Sequence, residues 1–135
     1  MSKLVWTNGC FDQLHVGHIR LLQYCREIAQ GGAVIVGINS DESVKRLKGP
    51  DRPINTQEHR RETLLALRSV DQVVIFNDDT PYELIRQWKP DVIVKGGDYE
   101  VGSVIGADLC TDVRIFPYVE GHSTTQAIER SRRGR

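Results

Sequence analysis

His15 and His18 stand three residues apart with Gly17 between them, directly after Thr7-Asn8-Gly9-Cys10-Phe11-Asp12. Two imidazoles at that spacing share one end of a helix, and each offers an N–H donor near neutral pH. A glycine at a helix entrance lets an oxyanion approach the backbone, and the first amides of any helix lack intrahelical partners. The stretch therefore reads as a phosphate-handling turn, with Gly9, Cys10, Phe11 and Gly17 lining the approach. Two other readings stay open. In one the histidine pair binds a metal, but a catalytic zinc site needs a third protein ligand and no further Cys or His motif supplies one. In the other both rings are simply satisfied within the fold.

Three further places carry related chemistry. Lys95-Gly96-Gly97-Asp98 combines a cation, a flexible turn and a carboxylate suited to a nucleoside or a metal-bound water. Gly121-His122-Ser123-Thr124-Thr125 opens a helix, so its amides and hydroxyls form a second anion cradle. Lys45, Arg46, Lys48 and Arg52 crowd one stretch, with Arg60 just beyond. Singly, these are an ordinary turn, a helix cap and a solvated loop. Their joint position after successive strands makes the nucleotide reading.

The elements that must hold these residues follow from apolar runs at 4–7, 33–39, 72–76, 92–95 and 113–117, with helical spacing between them. In the first helix Ile19, Leu22, Tyr24 and Ile28 are placed to face a sheet, and Gly31-Gly32 ends it. Thr56 caps a helix whose Leu64, Leu65 and Leu67 point inward. Thr80-Pro81 starts another, Trp88-Lys89-Pro90 stops it, and 123–130 forms the last. Strands separated by helices predict an α/β fold: a Rossmann-like, doubly wound, five-stranded parallel sheet with helices on both faces. Such sheets bind ligands at the carboxyl ends of their strands. Residues 40–55 show no regular pattern and read as a mobile flap over the site.

The chain's 135 residues suit one domain, 1–135, built on one core. Eighteen basic and eighteen acidic residues cancel, and positive charge clusters only at Arg130, Arg132, Arg133 and Arg135, so no nucleic-acid footprint is expected. Three cysteines without a Cys-x-x-Cys pair give neither a disulfide framework nor a zinc ribbon. No apolar run approaches the roughly 18 residues needed to cross a bilayer, so a cytoplasmic protein without membrane contact is expected.

At these residues the chain resembles the nucleotidyltransferase superfamily marked by a His-x-Gly-His signature, here His15-Val16-Gly17-His18, with the late turn at Ser123, Thr124 and Thr125. Within this cytidylyltransferase-like group it is most similar to the adenylyltransferase domain of bacterial heptose-1-phosphate adenylyltransferases, which occurs fused to a sugar kinase or alone. The likeness lies in Thr7-Asn8-Gly9-Cys10-Phe11-Asp12, Asn39-Ser40-Asp41, Arg46-Leu47-Lys48-Gly49, Arg52-Pro53-Ile54-Asn55, Asp79-Thr80-Pro81 and Val94-Lys95-Gly96-Gly97-Asp98-Tyr99. Glycerol-3-phosphate cytidylyltransferases are similar at the histidine motif, but their pattern has an arginine where this chain has Tyr118 and an acidic turn near Gly97. This chain also departs from the heptose pattern, with His122 where cysteine is common and no glycine pair before the last strand.

The resemblance implies transfer of AMP from ATP to a sugar phosphate, heptose 1-phosphate foremost, releasing pyrophosphate. His15 and His18 would donate to the triphosphate, while Lys48 and Lys45 neutralise phosphates and Arg60 contacts substrate. Lys95, Gly97 and Asp98 would border the nucleoside. Ser123, Thr124 and Thr125 would hold the outer phosphates, and Asp12 would face the acceptor or position the first turn. Magnesium is expected to bridge phosphate oxygens without dedicated protein ligands, and a homodimer is expected from the resemblance alone. The rivals are a cytidylyltransferase using CTP and glycerol 3-phosphate or another small phosphorylated alcohol, and a non-catalytic nucleotide-binding module. A pyridine-dinucleotide oxidoreductase is disfavoured because Gly-x-Gly-x-x-Gly does not follow the first strand.

Overall fold

Along the central strands, side chains alternate between two apolar layers, which requires both faces of the sheet to be covered. The computed structural model describes residues 1–97 and 99–117. Within them lie β1 (Val5–Gly9), α1 (Val16–Ala29), β2 (Val34–Asn39), α2 (Asp41–Lys48), α3 (Gln57–Leu65), β3 (Gln72–Phe76), α4 (Tyr82–Trp88), β4 (Val92–Gly96) and β5 (Asp112–Phe116). The strands form one sheet in the order β3-β2-β1-β4-β5, and every neighbouring pair is parallel. Val5, Val34, Val36, Ile38, Val92 and Val94 pack on one face against Leu21, Leu22, Cys25 and Ile28 of α1 and Leu64 of α3. Trp6, Ile35 and Ile93 pack on the other against Ile85 of α4. The doubly wound α/β architecture expected from the sequence is the one observed.

The winding reverses between β1 and β4, and there the sheet splits. β1 stays paired with β2 as far as Gly9↔Ile38, but its ladder with β4 ends at Trp6↔Ile93. The carboxyl ends of β1 and β4 therefore part, opening the crevice in which such sheets hold ligands.

Several local expectations change. The buried seam of α1 is His18, Leu21, Leu22, Cys25, Ile28 and Ala29, while Ile19 and Tyr24 are only half-buried at its edges. Leu65, expected inward, is 38% exposed, because the inward stripe of α3 runs through Arg60 and Leu64. Thr80 does not cap α4: Pro81 holds the cap position, with no side-chain bond. The stretch 40–55 is not one irregular flap. Ser40 caps α2 by accepting from the Ser43 amide at 3.1 Å, Asp41 and Glu42 occupy its first turn, and Lys45, Arg46 and Lys48 its last, an arrangement that suits the helix dipole. Its sole buried apolar residue is Val44, so no apolar stripe announces it. The helix expected at 123–130 lies outside the described residues.

Gly37 in β2 marks the tightest approach in the core. A Cβ there would stand 2.6 Å from Cζ2 of Trp6, a fully buried ring whose Nε1 donates to Asn8 Oδ1 at 2.9 Å. The ring cannot retreat without breaking that bond or its packing. Gly37→Ala is therefore expected to destabilise the protein by about 1–3 kcal/mol, read as a lower urea midpoint at unchanged m-value.

Candidate functional site

The split at the switch point opens onto a crevice of about 550 Å³. Its floor is the turn from β1 into α1. Phe11 takes a left-handed backbone conformation (φ 50°) that costs a non-glycine residue about 1–2 kcal/mol. Its ring is buried 5.1 Å from that of His18, and this packing sustains the strain.

His15 and His18 turn out to be the cap of α1. Nδ1 of His15 accepts from the Gly17 amide at 3.0 Å, and Nδ1 of His18 accepts from the His15 amide at 3.3 Å, a reciprocal capping box built from imidazoles. The rings stack with centroids 3.9 Å apart. Because each Nδ1 accepts, the neutral form of each ring carries its proton on Nε2. Burial, then the neighbouring His15 and then Lys48, pushes the pKa of His18 from 6.5 down to about 3. His18 is therefore neutral at physiological pH and carries one proton, on Nε2. The Gly17 amide, expected to meet phosphate, is engaged by His15 instead.

Lys48, at the end of α2, lines the crevice, and its positive field reaches Cys10, His18 and Lys95. Lys95, from β4, lines it opposite. Burial, and then Lys48, lowers the Lys95 pKa, with Cys10 opposing, while its Nζ sits 5.0 Å from the centre of the Tyr99 ring. Burial raises the Cys10 pKa against the pull of Lys48, Arg60 and Arg52, so this thiol is not a nucleophile at neutral pH.

Arg60, expected to meet substrate, instead holds the site together, and Asp12 takes the second of its two expected roles, positioning the first turn. The guanidinium of Arg60, 1% exposed, donates to the carbonyls of Cys10 (2.9 Å), Asn39 (2.7 Å) and Asn55 (3.0 Å) and to Asp41 Oδ1 (2.9 Å). Arg60 is a strut beneath the crevice, not a contact within it. The buried Asp12 carboxylate accepts from Arg52 Nε at 3.1 Å, from the Ile54 amide at 2.8 Å and from the Asn55 amide at 2.8 Å, while Asn55 Nδ2 donates to the Asp12 carbonyl. Asp12 thus positions the first turn and ties the loop after α2 to it.

Gly9, Cys10, Phe11, Asp12, His18, Lys48, Lys95 and Gly97 line the crevice together, whereas His15, Gly17, Lys45 and Arg60 do not. Asp98, Ser123, Thr124 and Thr125 lie outside the described residues. Arg52, named among the cations of its stretch, lines it too, and Asn39, Phe76, Asp79 and Tyr99 do so beyond the site residues expected from the sequence. Asp79 follows the third strand, and its pairing with Arg46 Nε at 3.1 Å draws that turn toward α2. Its place after a parallel strand is the available signal. Among the described residues no three His, Cys, Asp or Glu side chains are grouped to hold a metal ion, and Asp12 and Asp79, the described carboxylates on the crevice wall, are both engaged by arginine. This donor set suits a magnesium ion that arrives on phosphate oxygens and keeps its waters.

The model of the family described as Cytidylyltransferase-like matches residues 6–115. "Bifunctional protein HldE" of a Nitratiruptor species is 56% identical over 131 residues, covering 97% of this chain and 28% of that protein. The protein of the same name from Wolinella succinogenes is 53% identical over 128 residues, 95% of this chain and 27% of that one. The chain thus spans little more than a quarter of the length of these relatives. A solved structure described as a lipopolysaccharide core biosynthesis protein from Thermoplasma volcanium superposes with a TM-score of 0.71 at 22% identity, covering 87% of this chain and 98% of that one, a likeness of fold.

Two outcomes follow from the site's construction. Arg60→Met leaves three inward carbonyls and Asp41 without their donor, and is expected to cost about 3–5 kcal/mol in urea unfolding. The His18 pKa is depressed in the folded state, so between pH 6.5 and about 3 the unfolded chain binds the proton that the folded one refuses. Stability is full above pH 6.5 and falls below it by up to about 1.4 kcal/mol per pH unit. His18→Asn should flatten that slope by one proton in unfolding measured from pH 7.5 to 4.5.

Proposed function

Since the chain belongs to the cytidylyltransferase-like family, we propose that it is a nucleotidyltransferase moving AMP from ATP to a sugar phosphate, heptose 1-phosphate foremost, to give ADP-heptose and pyrophosphate. The observation that carries this reading is a switch-point crevice with a neutral imidazole on its floor, Lys48, Lys95 and Arg52 in its walls, and its described carboxylates already paired. A cation-lined crevice whose described carboxylates are all engaged suits a reaction that needs charge stabilisation and no general base. An acceptor phosphate is already anionic at neutral pH. One of its oxygens forms a bond to the α-phosphorus, the bond from that phosphorus to the oxygen bridging the β-phosphate breaks, and pyrophosphate carries the electron pair away.

In this reading His18 donates through Nε2 to phosphate oxygens, with His15 stacked on it and fixing the helix end. Lys48 neutralises charge developing on the leaving group. Lys95 and Gly97, with Asp98, border the nucleoside, while Ser123, Thr124 and Thr125 hold the outer phosphates and Lys45 contributes positive field from the α2 surface. Magnesium belongs to the reading as a companion of the triphosphate, where it supplies further charge neutralisation. The acceptor is favoured by the sequence strings shared with heptose-1-phosphate adenylyltransferase domains and by identity above 50% to the two HldE proteins. A cytoplasmic homodimer completes the proposal; no described helix is long and apolar enough to cross a membrane.

The test is pyrophosphate release with magnesium and either ATP or CTP, against heptose 1-phosphate or glycerol 3-phosphate. Turnover with ATP and heptose 1-phosphate is expected, and removed by EDTA. Turnover confined to CTP and glycerol 3-phosphate would replace the assignment, and none with any pair would overturn it. His18→Ala should lower kcat by about 10²–10³, the cost of removing one preorganised donor; near-normal turnover in that variant would refute its role.

A further inference from the structure

The geometry points to Arg52 as the residue that receives the acceptor's phosphate, with Asp12 as the residue that positions it. This deepens the nucleotidyl-transfer reading and rests on it. The first observation is place. Arg52 lines the crevice from the chain between α2 and α3, both of which pack on β2. It therefore stands on the β2 side of β1, whereas Lys95 stands at the end of β4 on the other side. A nucleotide binds at the β1/β4 switch point, and in the reading above its nucleoside borders Lys95. With the nucleoside assigned to the Lys95 side, the wall that carries Arg52 is left for the acceptor's phosphate.

The second observation is orientation. Arg52 Nε donates to Asp12 Oδ2 at 3.1 Å, and the same carboxylate accepts the Ile54 and Asn55 amides. The guanidinium plane is thereby fixed relative to the first turn, and its charge is balanced well enough to coexist with Lys48. The third is an unmet donor. Nη2 of Arg52 is sealed from solvent and has no acceptor among the described residues. A buried N–H of a charged group left in that state destabilises the protein, and a small adjustment toward an anion's oxygen would satisfy it. Arg52 is also the one guanidinium among the described residues lining the crevice. Its planar fork matches two oxygens of one phosphate, whereas Lys48 and Lys95 act as point charges.

The experiment compares the wild type with Arg52→Gln and Arg52→Lys. Acceptor KM is measured by pyrophosphate release with varied heptose 1-phosphate at saturating ATP and magnesium, and ATP affinity is measured separately by calorimetry. Arg52→Gln should raise acceptor KM by roughly 10- to 100-fold, with ATP affinity held within about twofold and a smaller rise in Arg52→Lys. Unchanged acceptor KM, or an equal loss of ATP affinity, would overturn the assignment. Independently of turnover and of the variants' folding, the wild-type Arg52 Nε–Hε resonance should move when inorganic phosphate is titrated with ATP and magnesium present. A resonance that stays put up to tens of millimolar phosphate would overturn it as well. Should the wild type fail to use heptose 1-phosphate, the acceptor named above falls, while the phosphate titration still decides Arg52.

Discussion

The guanidinium of Arg60 is the interaction on which the site's geometry depends. Parallel strands end in carbonyls that the sheet no longer pairs, and at the carboxyl ends of β1 and β2 those carbonyls face inward, where water cannot serve them. Arginine offers five N–H donors in a fixed plane. Arg60 directs them to the carbonyls of Cys10, Asn39 and Asn55 and to Asp41, joining β1, β2, α2 and the loop before α3 at one point. With its Thr56 cap, α3 serves to deliver this side chain. A lysine at the same place would satisfy at most three of these acceptors and would lack the planar spread to reach them.

Around that anchor the charges are sorted by what they pair with. Asp41 compensates Arg60 beneath the crevice, and Asp12 compensates Arg52 in its wall. Lys48 and Lys95, with no salt-bridge partner among the described residues, face the crevice, and burial depresses the Lys95 pKa. His18 avoids adding a third charge by remaining neutral. The crevice is thus held slightly against electrostatic preference, and a polyanion relieves it. Binding energy of that kind stabilises the folded state in proportion to ligand affinity, and the described carboxylates of the crevice, Asp12 and Asp79, are each paired with an arginine.

Much of this is legible in the sequence, and the exceptions share a cause. Alternating apolar runs and helices announce the doubly wound sheet, because strands buried on both faces leave continuous Val and Ile runs that no loop resembles. α2 escapes a pattern reading because it is held by its cap, its charge distribution and bonds to the β3–α4 turn, such as Ser43 Oγ to the Asp78 carbonyl at 3.0 Å, and not by an apolar stripe. Arg60 reads as a substrate contact because a cation near a phosphate site invites that reading. The contrary signal is its position one turn before Leu64, on the inward stripe of α3, where a charge must be bonded rather than exposed. For Asp12 the positioning role is among those expected, but its partners carry no such signal, since they lie about forty residues away along the chain.

The His-x-Gly-His spacing joins architecture to chemistry in a way that neither reading of the sequence alone supplies. As a capping box, it commits both Nδ1 atoms to backbone amides and stacks the rings. That commitment fixes the tautomer, so the proton of each neutral ring sits on Nε2, and burial keeps His18 from acquiring a second. A serine or aspartate would cap the helix as well, but a carboxylate has no N–H to donate, and a hydroxyl would be consumed by the cap. Imidazole has two nitrogens on opposite edges, one for the backbone and one for donation. Gly17, itself buried, contributes its own amide to the cap. The motif's structural reading therefore does not exclude the proposed functional one: the cap is what leaves the proton of each neutral ring on Nε2.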